Sequence, residues 1–266
     1  MPAEIVCTDM VGRSFTIKLP VNRIVSLVPS QTEFLYAIGL EDKIAGQTVF
    51  CVNPPDAYRK SFKVGGTKKV KFDKIAECQP DLIICNKEEN TEEIVEKLAG
   101  DYPVWVSDIK NTDDAFVMMS ELGKLLGAEK KSAELIDKIK SSFNSSRKIH
   151  NYEAVYLIWR KPFMAAGADT FVSHMMKRAG FINMINAKRY PELSEEDLLL
   201  LNPPVVLLSS EPYPFNEKHA AELKKLLPES KIICVDGEMF SWYGSHLLNS
   251  QTYFNELQRQ LHKAKK

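Results

Sequence analysis

The stretch "DGEMFSWYGSH", Asp236–His246, packs two acids, three aromatic rings, two serines and a histidine into eleven positions. Rings offer large contact faces, since each aromatic side chain buries 150–250 Å². Trp159, Phe215, Phe240, Trp242 and Tyr243 therefore read as walls for a flat, bulky ligand, with Phe50 facing them from the first half. The competing expectation is that Phe240 and Trp242 pin the last helix. Glu88, Glu89, Asn90, Arg160, Glu211, Tyr213 and Ser241 form the polar set that would orient such a ligand, because pockets are mostly apolar with few placed polar groups. Arg160 suits a carboxylate or phosphate, and pairs equally well with Glu211. Ser30, Gln31 and His246 stand where strand-like runs meet helices and complete the expected site.

These residues need strand ends to carry them. "RIVSLV", "DLIICN", "PVWVSD", "EAVYLIW", "VVLLSS" and "KIICVD" are β-branched or apolar runs, each followed by a helical pattern. Such alternation predicts parallel α/β sheets, in which ligands bind at the carboxyl ends of strands. Ser30 is expected to cap the helix "QTEFLYAIG", Asn90 the helix "TEEIVEKLAG", and Ser194 with Asp197 to form a capping box. Between the two halves, residues 112–149 carry helical spacing only. As one helix they would run for about 37 residues and about 55 Å, a strut between lobes even if Gly127 bends or breaks it; the competing expectation is two ordinary helices of a bundle. The expected organisation is an N-terminal α/β lobe over residues 1–110, a backbone helix over 111–150 and a similar C-terminal lobe over 151–266. A cleft between the lobes holds the ligand.

Composition narrows the chemistry. Lys+Arg and Asp+Glu are both 35, so the formal net charge is zero, which disfavours nucleic acid. No apolar run is long enough to span a bilayer. The start lacks a basic segment followed by an apolar one, so the chain as it stands reads as cytoplasmic, or periplasmic if a leader has been removed. Its five cysteines include no C-x-x-C pair and fit reduced, mostly buried thiols. All five histidines follow residue 149, which argues against a bare metal clamped between lobes. Phosphate-loop, dinucleotide, serine-hydrolase and zinc-protease motifs are missing.

Taken together, "NRIVSLVPSQTEFLYAIGLEDKIAGQT", "VGGT…IAECQPDLIICNKEEN", the central helix and the second lobe resemble the vitamin B12 and iron-chelate binding proteins of ABC transporters, the helical-backbone solute receptors. The likeness covers nearly the whole chain in order. "YLIWRKPFMAAGADTF", "SSEPYPF" and "DGEMFSWYGS" are similar to a leaderless subgroup of that family. The resemblance implies non-catalytic binding of a metal chelate, cobalamin or a ferric chelate, with no intrinsic cofactor, by a monomer that moves little. It also implies a membrane permease as partner, docked through one surface glutamate per lobe. The matching positions fall near Phe62 and Ile182, where no glutamate stands. Two other expectations follow: a cytoplasmic carrier or sensor without a permease, and a hydrolase or transferase using Glu89 or Glu211 with His246.

Overall fold

The structure is a computed structural model that describes residues 3–144 and 150–263. The chain divides into two compact units. The first comprises Met1–Ile109, Asp113–Lys140 and Tyr243–His246; the second comprises Lys110–Thr112, Ser141–Trp242 and Leu247–Lys266.

The first unit opens with an antiparallel hairpin of β1 (Ala3–Thr8) and β2 (Ser14–Leu19). A parallel sheet follows, built from β3 (Ile24–Ser26), β4 (Ile44–Gln47), β5 (Leu82–Asn86) and β6 (Val104–Ser107) in the order β4-β3-β5-β6. The helices α1 (Pro29–Ala37), α2 (Pro55–Lys60), α3 (Phe72–Glu77) and α4 (Glu92–Ala99) alternate with these strands. Every residue of β5 is buried, as a strand covered on both faces must be. Val25, Ile83, Cys85 and Val104 pack with Ile75, Ile94 and Leu98 into one apolar cluster. The first strand, β3, has later strands on both sides, so the crevice at its carboxyl end beside β5 is the expected ligand position.

Of the two expectations for this stretch, one strut or two helices, the structure has two helices, α5 (Thr112–Leu125) and α6 (Glu129–Asn144). Gly127 adopts φ +71°, a left-handed conformation that ends the first helix at little steric cost. Ser132 Oγ donates to Met119 O at 2.6 Å. On a straight helix those residues would stand about 20 Å apart, so the chain turns a sharp corner at the glycine. Nor do these helices form a separate linker: Asp113–Lys140 belongs to the first unit. Residues 145–149 of the expected helix lie outside the described residues, as do residues 1, 2 and 264–266 of the expected lobes.

The second unit is a mixed sheet rather than a purely parallel one. Its strands are β7 (Tyr152–Trp159), β8 (Phe163–Ala165), β9 (Phe181–Asn183), β10 (Glu192–Leu193), β11 (Val205–Ser209) and β12 (Lys231–Val235). The order is β10-β8-β7-β11-β12, with β9 also on β7; β8 pairs antiparallel with β7 and β10. The antiparallel strands are two or three residues long, too short to leave a periodicity in the sequence. Around the sheet lie α7 (Phe171–Arg178), α8 (Glu195–Leu201), α9 (Glu217–Leu226), α10 (Glu238–Ser241) and α11 (Leu247–Lys263). The Ser194–Asp197 capping box forms in full. The other two expected caps do not. Pro29 occupies the first turn of α1 after an N-cap at Val28, and Thr91, not Asn90, caps α4 by accepting from Ile94 N. Among the described residues no helix is long and apolar enough to cross a membrane.

Candidate functional site

At the carboxyl end of β5 the sequence "NKEEN" makes a tight hub. Asn86 Oδ1 accepts from the Glu88 and Glu89 amides at 2.8 and 3.2 Å, and its Nδ2 donates to Ser107 O and Oγ. Asn90 Oδ1 accepts from Asn86 N, while its Nδ2 reaches Thr67 O at 3.0 Å. Both asparagines are buried. Asn90 is thus a loop-holding residue, and the pair aims Glu88 and Glu89 from a fixed backbone. Lys68, from "VGGTKK", donates to Glu88 O.

Burial raises the Glu89 carboxyl above its ordinary value of 4.5; the Lys68 charge and a Thr67 hydrogen bond oppose that shift, and Glu88 adds to it. A carboxyl whose pKa is raised by folding binds protons better folded than unfolded, so stability falls as pH rises from the unfolded value through the folded one. Glu89→Gln is therefore expected to raise the unfolding midpoint at pH 7, with the gain shrinking towards pH 4. Denaturation at several pH values checks the sign.

Ser30 and Gln31, expected to touch ligand, are buried in α1. The Gln31 amide donates to Ser107 Oγ and to Tyr243 OH, the latter at 3.2 Å. Tyr243 is buried with them, and burial pushes its phenol above the ordinary value. The following residues fasten to a group the sequence reading missed: Glu33 accepts from Ser245 Oγ at 3.1 Å and lies 3.0 Å from His246 Nδ1. Tyr243 and His246 therefore serve to seat Tyr243–His246 in the first unit. One signal in the sequence pointed there: Glu33 is the one charged residue of α1.

Phe50 is different. It is 56% exposed, in the loop after β4. A Cβ on Gly66 would stand 3.1 Å from its ring, so the ring lies against the bare glycine backbone with its other side outward.

In the second unit the strand-end residues split into two groups. Glu211 Oε1 accepts from Ser241 Oγ at 2.5 Å and from Trp242 Nε1 at 3.1 Å, which fixes the carboxylate at the end of β11. Trp159, 40% exposed at the end of β7, meets Tyr213 edge-on at 5.5 Å. Phe240 is fully buried, against Tyr156 at 5.1 Å and Phe254 at 4.9 Å. It plugs the core and pins α11, so its expected role as a ligand wall is corrected. Trp242 and Phe215 are also largely buried, Phe215 against Tyr213 and His219. Arg160 pairs with Glu222 at 2.5 Å rather than with Glu211. At the strand ends Phe50 and Trp159 are exposed, while Glu88 and Glu89 in the first unit and Tyr213, Glu211 and Ser241 in the second are half-buried. Among the described residues no cluster of three His, Cys, Asp or Glu has metal-binding geometry.

Two α/β units, each carrying rings and carboxylates at its strand ends, are the architecture of a solute-binding protein. The periplasmic binding protein family model matches residues 24–227, and the chain belongs to that family. It is a family of binding proteins of ABC transporters, not of enzymes. An ABC transporter substrate-binding lipoprotein of Bacillus subtilis, YvrC, is 28% identical over 218 residues, 75% of this chain and 67% of that one. A vitamin B12-binding protein of Vibrio parahaemolyticus is 26% identical over 71% of each chain. Among solved structures, the periplasmic vitamin B12 binding protein BtuF of Vibrio cholerae has a TM-score of 0.73 at 20% identity, covering 92% of this chain and 99% of that one. The periplasmic haem-binding protein RhuT of Roseiflexus sp. RS-1 has a TM-score of 0.78 at 19% identity, with the same coverage. These bear out the resemblance and the two-lobed α/β fold.

Proposed function

We propose that this chain binds a corrinoid-like metal chelate, one carrying amide rather than carboxylate arms, and presents it to an ABC permease without chemical turnover. The observation that carries the reading is the sign of the strand-end groups. Glu88 and Glu89 stand on a backbone fixed by Asn86 at the β5 end, the Glu211 carboxylate is held at the β11 end, and Asp236 and Glu238 follow β12. Corrin amide arms donate N–H to carboxylates, whereas porphyrin propionates would meet charge of their own sign. Phe50 and Trp159 supply exposed ring faces for the macrocycle. The vitamin B12-binding relatives support the same ligand class. The ligand is cargo and not a resident cofactor. The names of the relatives support the alternative in which the chain works outside the cytoplasm.

The test is direct. Protein purified from its own host should carry a visible corrinoid spectrum, and mass spectrometry of the eluate should return the corrinoid mass. A colourless protein that also binds no added corrinoid would sink the proposal.

Gly66 offers a finer check. Gly66→Ala must push the Phe50 ring away by a few tenths of an ångström. Corrinoid affinity should fall about three- to tenfold, roughly 1 kcal/mol, with little change in melting temperature. Calorimetric titration of the variant decides it.

A second reading is an uncoupled carrier. It is favoured by Phe62 and Ile182, exposed apolar residues near the positions where the resemblance implies docking glutamates.

A further inference from the structure

Arg160 and Phe215, displaced from the expected site, line a hollow of about 340 Å³ within the second unit. Its floor is apolar, with Phe163, Phe215 and Leu223 joining the core cluster under α8 and α9. Its rim is charged: Arg160 and Lys225 against Glu222 and Glu195. Neither Glu211 nor Trp159 lines it.

We propose that this hollow is a second ligand site, taking a small monocarboxylate with an apolar tail. The ligand's carboxylate replaces Glu222 on Arg160, and its tail covers Phe163 and Phe215. The volume lies in the range of small-molecule sites, and an apolar floor with a few placed polar groups at its edge is their usual chemistry. The guanidinium fork matches a carboxylate in two-point geometry, and Arg160 is already held by one. Glu222 is the exchangeable partner. Its side chain is 39% exposed against 23% for Arg160, so it stays hydrated when displaced, and a pair this open contributes little to stability. Lys218 also favours its charged form, which gives the released carboxylate a positive neighbour. The site does not depend on the chelate reading.

Titration of the full chain with 4-phenylbutyrate, followed by calorimetry and by amide chemical shifts, tests the proposal, with 4-phenylbutyramide as the uncharged match. The acid should bind saturably, on the order of tenfold more tightly than the amide. Arg160→Gln should remove that preference. Glu222→Gln, which takes away the competing carboxylate, should tighten binding of the acid about threefold or more. A merely structural ion pair would give the opposite or no change on Glu222→Gln. Absence of saturable binding, equal binding of acid and amide, or unchanged or weaker binding by the Glu222→Gln variant would overturn the assignment.

Discussion

Trp159→Ala is expected to weaken corrinoid binding about thirtyfold, close to 2 kcal/mol, while the melting temperature moves little. Trp159 closes β7 and is 40% exposed, so few core contacts depend on it. Its ring is held by Tyr213, edge-on at 72°, which fixes the plane offered to ligand without hiding it. An aromatic face fixed in this way meets a macrocycle without much loss of side-chain freedom. The same truncation at Phe240 should behave in reverse. That ring is buried among Tyr156 and Phe254, and its loss should cost about 3–5 kcal/mol of stability before binding is affected. Paired calorimetry and thermal melts on the two variants separate a ring that grips ligand from a ring that fills the core.

The second large effect lies at Asn86. Asn86→Leu keeps the number and branching of the side-chain heavy atoms and removes four side-chain hydrogen bonds, two to the Glu88 and Glu89 amides and two to Ser107. The abandoned amides sit beside a residue only 2% exposed. Leaving buried donors without acceptors costs about 1–3 kcal/mol each where water cannot replace the bond. A net loss of about 3 kcal/mol is expected, lowering the melting temperature by roughly 6–12 °C for a chain of this size. Binding should fall as well, because Glu88 and Glu89 lose their backbone anchor. Thermal denaturation with and without ligand reads both effects. A variant as stable as the parent would show that the hub does not hold the loop.

The α/β alternation was legible because each buried strand is a short β-branched run followed by an amphipathic helix, "DLIICN" before "TEEIVEKLAG" being the clearest case. The Ser194 capping box was equally plain, since its two partners lie three residues apart. What escaped were features set by long-range packing. Helical spacing continues on both sides of Gly127, so the corner made by Ser132 against Met119 leaves no trace except the glycine itself. Glu211 was visible as an acid on a strand-end loop, but its donors Ser241 and Trp242 arrive thirty residues later from the far side of β12. The aromatic loop was the hardest to read. Composition says that rings are present, and only the path of the chain decides that Phe240 faces Phe254 while Trp242 turns its N–H to Glu211. Arg160 misled for the same reason, since Glu222 comes within reach only when α9 packs beside the β7 end.

The acids at the strand ends give the account its sharpest consequence, selection by the charge of a chelate's arms. Parallel calorimetric titrations with cyanocobalamin and with haemin at pH 7 test it most directly. The corrinoid should bind in the submicromolar range and haemin at least about a hundredfold more weakly, a gap near 3 kcal/mol. Haemin binding as tightly as the corrinoid, or neither binding at all, would contradict the account.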